Sequence, residues 1–164
     1  QSISKNIVGT ANVTNVCYKL KIKLIYISTC YVYPGIKGNY SEVSPLKPIN
    51  NYAWSKLGGE CAVMLYKNSL ILRTSVTEKP FVHKGAFKDF KTNFIFHEDL
   101  VPKILKVINQ KGILNIGGKS QSVYNFVKKN NPKIKKFSAR KMLGKNAPLN
   151  ITMNINKFRK LIND

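Results

Sequence analysis

The sequence is short of acidic residues and shorter still of arginine. Seven Asp and Glu stand against 28 basic residues, of which 25 are Lys and 3 are Arg, giving a formal net charge of +21. A surplus of that size points first to an anionic partner such as nucleic acid, an anionic membrane or phosphate. The lack of Arg argues against sequence-specific nucleic-acid binding, because the planar guanidinium fork is the preferred reader of phosphates and bases. Lys is spread along the chain, with one mild cluster from Lys128 to Lys145, and is accompanied by 18 Asn and 17 Ile, residue types with A/T-rich codons. The surplus reads as compositional bias. It still leaves a surface suited to a sugar nucleotide or NADP, and nucleic acid is disfavoured as a partner.

Cysteine is scarce as well. Cys17, Cys30 and Cys61 are scattered, form no CxxC, and with only two His assemble no zinc-type ligand spacing, so no metal is expected. Free thiols suit a reducing compartment. No apolar run approaches the roughly 20 residues of a membrane span, and the N-terminus has no charged-then-apolar signal pattern. The expectation is a cytoplasmic protein with no membrane partner. Opening on Gln1 rather than Met reads as a fragment or a processed product. Also missing is any G-x-x-G-x-x-G turn, the element whose backbone N–H groups hold a dinucleotide pyrophosphate. Gly117-Gly118 comes late and on the wrong element.

Hydrophobic residues make up 43% of 164, enough for a core and too many for a disordered chain. The apolar spacing predicts a helix over 3–20, with Ile7, Val8, Ala11, Thr14 and Cys17 on one stripe. Residues 22–28 predict a buried parallel strand, 51–67 a long helix and 69–73 a second buried strand. Pro34 to Asn50 is a turn-rich loop, and 79–97 is aromatic, basic and irregular. Glu98 and Asp99 favour the start of a further helix. Ile113 to Ile116 predicts a short strand, Ser120 a cap for a helix to about Asn130, and Ile155–Ile162 a last helix. This alternation predicts an α/β fold: the C-terminal part of a Rossmann-like, doubly wound parallel sheet over residues 1–78, plus a small α/β substrate-binding region over 79–164.

The chemistry concentrates between Ile27 and Glu60. Tyr52 and Lys56 are four apart and share a helix face. Tyrosine titrates near about 10, and a neighbouring ammonium favours its phenolate, so Lys56 is expected to lower the pKa of Tyr52. Lys56 can also bond a ribose. Thr29 ends the preceding strand, where open α/β sheets place ligands, 23 residues before Tyr52. A YxxxK spacing alone is common on solvated helix faces, and Thr29 or Tyr31 could serve only a strand end or a core.

The stretch Ser28-Thr29-Cys30-Tyr31-Val32-Tyr33-Pro34-Gly35, then Tyr40-Ser41-Glu42, Pro48 and Tyr52 through Glu60, resembles the extended short-chain dehydrogenases, most closely the dTDP-4-dehydrorhamnose reductases. Asn6, Gly9-Thr10, Leu72 to Ser75, Glu98-Asp99-Leu100 and Asn115 to Gly118 extend the resemblance over nearly the whole chain. It implies an NAD(P)-dependent enzyme, with NADP or NAD as cofactor, acting as a 4-keto reductase or epimerase on a dTDP- or UDP-linked deoxysugar. It implies Thr29, Tyr52 and Lys56 as the catalytic residues, with Tyr52 as general acid. Ser28, Tyr52, Lys56, Arg73, Thr74 and Ser75 would border the cofactor. Thr29, Tyr31 and Val76 would border the sugar, and 79–97 would contribute to the sugar-nucleotide pocket. The sequence departs from the family at Cys30, where relatives carry Asp, and at Val76, where many carry Trp. The alternatives left open are a non-catalytic regulatory or binding subunit, a gene fragment of the same family, and a basic nucleic-acid-binding module. The open assemblies are a homodimer and a complex with a segment or partner chain supplying the missing front of the sheet.

Overall fold

The computed structural model describes residues 1–163. A π-helical stretch, Ile3–Val8, runs without a break into α1 (Gly9–Lys19). Then come β1 (Leu24–Thr29), a 3-10 turn over Cys30–Val32, α2 (Asn51–Met64) and β2 (Ser69–Thr74). Three short strands follow β3 (Val76–Thr77): β4 (Gly85–Phe87), β5 (Lys91–Thr92) and β6 (Ile95–Phe96). The chain continues through α3 (His97–Val107), β7 (Gly112–Ile116), β8 (Gln121–Ser122) and α4 (Val123–Lys128). It closes with β9 (Lys135–Phe137), α5 (Ala139–Leu143) and α6 (Asn156–Asn163).

The main sheet is parallel, in the order β1-β2-β7. Every residue of β2 is buried, as befits a strand covered on both faces. Leu24, Tyr26 and Ile71 pack under Val63 of α2, while Leu70, Leu72, Leu114 and Ile116 pack under Leu100 and Val107 of α3 and Phe158 of α6. Each fully buried aliphatic contributes about 1.5–3 kcal/mol over exposure. The result is helix, sheet, helix: the doubly wound α/β arrangement the alternation predicts.

Three predictions need revision. The sheet does not stop at residue 78, because β7 is its third strand. The segment 79–97 is not irregular: β3 pairs with β6, β4 with β9 and β5 with β8. The partners of β4 and β5 lie about 30 to 50 residues downstream, so a local reading finds no pairing there. The cap of α4 is Ser122, whose hydroxyl accepts from the Asn125 N–H at 3.1 Å, because residues 121–122 are held extended against β5. Of the predicted stripe on the first helix only Thr14 is buried, since this helix leans on α2. Val13, Val16 and Leu20 are exposed, as is Ile27 on β1, and among the described residues β1 is paired on one side only.

A candidate active-site cleft at the strand ends

β1 and β2 end in register, with Ser28 opposite Arg73 and Thr29 opposite Thr74. Neighbouring residues on a strand face opposite sides, so these two pairs part company. The Thr29 side opens on a cleft of about 860 Å³. Its near wall includes Thr29, Cys30, Tyr31, Tyr52, Ser75 and Val76. Its far wall includes Phe81, His83, Lys84, Phe87 and Phe137. Apolar walls with a few polar groups at one end are the usual make-up of a small-molecule site.

α2 delivers Tyr52 to this cleft. Asn50 caps the helix by accepting the Ala53 N–H at 2.8 Å, which puts Tyr52 in the first turn, about half exposed. Thr29 is buried, and its hydroxyl accepts the Tyr31 N–H at 3.2 Å. Ser75 shares a hydrogen bond with Thr92, and Thr74 donates to the Ser28 carbonyl at 3.2 Å. Cys30 is fully enclosed, and burial pushes its thiol up to about 11, so it is an inert wall and not a nucleophile.

Two expectations fail here. The pKa of Tyr52 is raised, first by burial and then by Cys30, instead of being lowered by Lys56. The Lys56 ammonium lies over the ring of Tyr26, 4.1 Å from its centroid, and does not line the cleft. Burial lowers the Lys56 pKa, with Glu60 opposing.

Arg73 is a further correction, since it does not line the cleft, whereas Ser28 does border it with its hydroxyl turned to Glu60. The Ser28 hydroxyl donates to Glu60, and Arg73 clasps the same carboxylate, with Nη2 at 2.7 Å from Oε2 and Nε at 3.1 and 3.2 Å from the two oxygens. Arg73 also donates to the Tyr33 hydroxyl at 3.0 Å and to the Glu42 carbonyl at 3.2 Å. Tyr33 in turn donates to Asn115 at 2.8 Å, and Asn115 donates its side-chain amide to the Tyr40 carbonyl at 2.9 Å. Glu60 and Arg73 are 0% and 1% exposed, so two charges have been taken out of water together. Burial opposes the charge on Arg73, but hydrogen bonds and attraction from Glu60 and Tyr33 more than offset it and raise its pKa. The network ties α2 to β1, β2, β7 and the loop over 33–42. Sequence reasoning noted Glu60, Tyr33, Glu42 and Asn115 only as parts of a pattern. The available signal was the two-residue period of a strand, which puts Ser28 and Arg73 on one face and Thr29 and Thr74 on the other.

The residues present fit the nicotinamide end of a dinucleotide: Tyr52 is accessible, Ser75 borders the cleft, and Lys56 is one helical turn from Tyr52. The Gly117-Gly118 pair serves packing instead. A Cβ there would sit 2.7 Å from Asn93 and 2.3 Å from the Phe94 carbonyl oxygen. Among the described residues no group of three or more His, Cys, Asp or Glu could hold a metal, and no helix is long and apolar enough to cross a membrane.

Comparison with known proteins agrees with this fold. A family model described as the RmlD substrate binding domain matches residues 2–97. The dTDP-D-glucose 4,6-dehydratase of Mus musculus is 29% identical over 124 residues, which is 74% of this chain and 33% of that protein. The crystal structure of dTDP-4-dehydrorhamnose reductase from Bacillus anthracis in complex with NADP superposes with a TM-score of 0.78 at 25% identity, covering 94% of this chain and 64% of that one. UDP-glucuronic acid 4-epimerase from Bacillus cereus in complex with NAD has a TM-score of 0.76 at 22% identity, covering 98% and 62%, and speaks for the fold alone. The chain thus spans about a third of the curated relatives it matches and under two thirds of these solved structures.

Proposed function

The chain belongs to the RmlD substrate binding domain family, and on that premise we propose that it is the catalytic and sugar-binding part of a cytoplasmic, NAD(P)H-dependent 4-keto reductase or epimerase acting on a dTDP- or UDP-4-dehydro-6-deoxy sugar. The observation that carries the proposal is the meeting of Thr29 and Tyr52 in one cleft at the carboxyl ends of parallel strands.

In this reading a reduced nicotinamide, when bound, supplies hydride. Thr29 donates a hydrogen bond to the sugar's C4 oxygen and orients it toward Tyr52. As the C4–H bond forms and the C=O π pair moves onto oxygen, Tyr52 gives that oxygen its phenolic proton and is reprotonated from solvent. Burial raises the pKa of Tyr52, so its hydroxyl keeps its proton at neutral pH, the form a general acid requires. Lys56 holds the ribose next to the nicotinamide. Tyr31 and Val76 border the sugar. Thr74 and Ser75 border the cofactor, and the aromatic far wall covers the nucleotide.

The test is calorimetric titration of the chain with dTDP-glucose and UDP-glucose. Because a net charge of +21 attracts any anion, the titration is run in about 0.3 M salt, where exposed charges are largely screened, with inorganic phosphate as the control. Saturable binding of a sugar nucleotide without binding of phosphate is the expected result. A natively folded chain that binds neither sugar nucleotide sinks the proposal.

A further inference from the structure

Lys56 is half-buried, and among the described residues the Arg73–Glu60 pair is the one salt bridge. The ammonium needs another partner, and the structure provides an aromatic face. Tyr26, on β1, is 8% exposed, and its ring centroid is 4.1 Å from the Lys56 Nζ. The same tyrosine is fastened to the same lysine at a second point: its hydroxyl donates to the Lys56 carbonyl at 3.1 Å. The fit leaves no slack. Gly59 lies one turn further along α2, and a Cβ there would come within 2.3 Å of the Tyr26 hydroxyl and 2.5 Å of the Asn6 carbonyl oxygen. Asn6 itself donates to Ser55 at 2.9 Å, which closes the first helix over the same spot.

We infer that Tyr26 is the positioning residue for Lys56: its ring carries the ammonium as a cation–π platform while its hydroxyl fixes the lysine's backbone, so that the cation is aimed with no carboxylate in contact, the Glu60 carboxylate one turn along α2 favouring its charge only from a distance while clasped by Arg73. A carboxylate would hold the lysine more tightly and would compete with a ribose hydroxyl for the same N–H donors. A ring face attracts the charge and takes up no donor direction. Burial pushes the Tyr26 phenol up to about 12, so the platform is neutral at physiological pH and does not turn into an anion that would trap the lysine. The inference rests on the reading of Lys56 as the ribose-holding group, but the geometry can be tested without cofactor or substrate.

The experiment is a pH titration of the chain with ¹³C-labelled lysine, following the Cε–Hε resonances, with Lys56 assigned through Lys56→Arg. The wild type is expected to show the Lys56 resonance displaced upfield of the other lysines by the ring current. Tyr26→Phe keeps the ring and should keep both the displacement and the Lys56 pKa. Tyr26→Leu should abolish the displacement and lower that pKa by about half a unit, since an attraction favouring the charged form is lost. A Lys56 resonance among the bulk lysines in the wild type overturns the inference, whether or not Tyr26→Leu folds. An unchanged pKa in a folded Tyr26→Leu also overturns it. Failure to bind nicotinamide or sugar nucleotide would count against the proposed function and leave these spectra as they are.

Discussion

Ser28 and Thr29 are adjacent, as are Arg73 and Thr74, and Ser28 and Thr29 both border the cleft, yet the side chains of each pair take different partners: Ser28 and Arg73 bond Glu60, while Thr29 and Thr74 do not. The row facing α2 is closed. Ser28, Arg73 and Asn115 sit on adjacent strands in register, and Glu60, Tyr33 and the loop over 33–42 satisfy their polar atoms. The row facing the cleft is open, with Thr29 and Ser75 beside a half-exposed Tyr52. A buried, fully paired network fixes where helix and strands lie with respect to one another. A site that must receive a substrate keeps hydroxyls that can change partners. The division predicts that substitutions in the closed row act on stability and that those in the open row act on chemistry.

The largest effect should come from separating the ion pair. Arg73→Met leaves the Glu60 carboxylate buried with only Ser28 as donor, and should cost about 3–5 kcal/mol in urea unfolding followed by circular dichroism. The double substitution Glu60→Leu/Arg73→Met removes both charges and should recover much of that loss. A single substitution costing under about 1 kcal/mol would mean that the row is not closed at all.

Tyr52→Phe tests the other side. Its side chain is half exposed, so stability should change by no more than about 0.5 kcal/mol. Sugar-nucleotide reduction by the assembled enzyme should fall about 10²- to 10⁴-fold. Because the Tyr52 pKa is raised by burial, wild-type reduction should be flat with respect to this group through neutral pH and should decline only above the ordinary tyrosine range, as the acid loses its proton. A decline centred near neutrality, absent in Tyr52→Phe, would instead mark the lowered pKa that the Tyr-Lys spacing suggests.

The joint between the two rows should be less costly to disturb. Gly59→Ala drives a methyl against the Tyr26 hydroxyl and the Asn6 carbonyl, at about 1–3 kcal/mol. Because the helix must shift to make room, turnover should fall as well, which neither row alone predicts. Thermal unfolding and steady-state rates on the same preparation would show whether the two losses travel together.

Much of this arrangement is legible in the sequence because it is local. The main strands, the Thr29–Tyr52 constellation and every helix but α5 follow from apolar spacing and from one short motif. What is not legible depends on distant partners. The pairing of β4 with β9 joins residues 50 apart, and the Tyr33–Asn115 hydrogen bond spans 82 positions. Ser28 and Arg73 were legible in principle from strand alternation, but a motif read along the chain groups neighbours that a strand turns to opposite faces. The orientation of Lys56 was not legible, because helical spacing allows contact with Tyr52 and says nothing of an aromatic ring waiting on β1.

The smallest effect is also the sharpest test. Ser28→Ala removes one donor to Glu60, while Arg73 keeps its contacts at 2.7, 3.1 and 3.2 Å, so the carboxylate remains paired. The loss should be about 1.5 kcal/mol, the low end of the range for a hydrogen bond to a charged group, and turnover should change by no more than a few-fold. The family resemblance points the other way, since it sets Ser28 beside the cofactor together with Thr74 and Ser75. If Ser28→Ala left stability intact and abolished turnover or nicotinamide binding, Ser28 would belong to the open row after all. The alternation of β1 would then have to break at its last two residues, and the position of Thr29 would have to be argued anew.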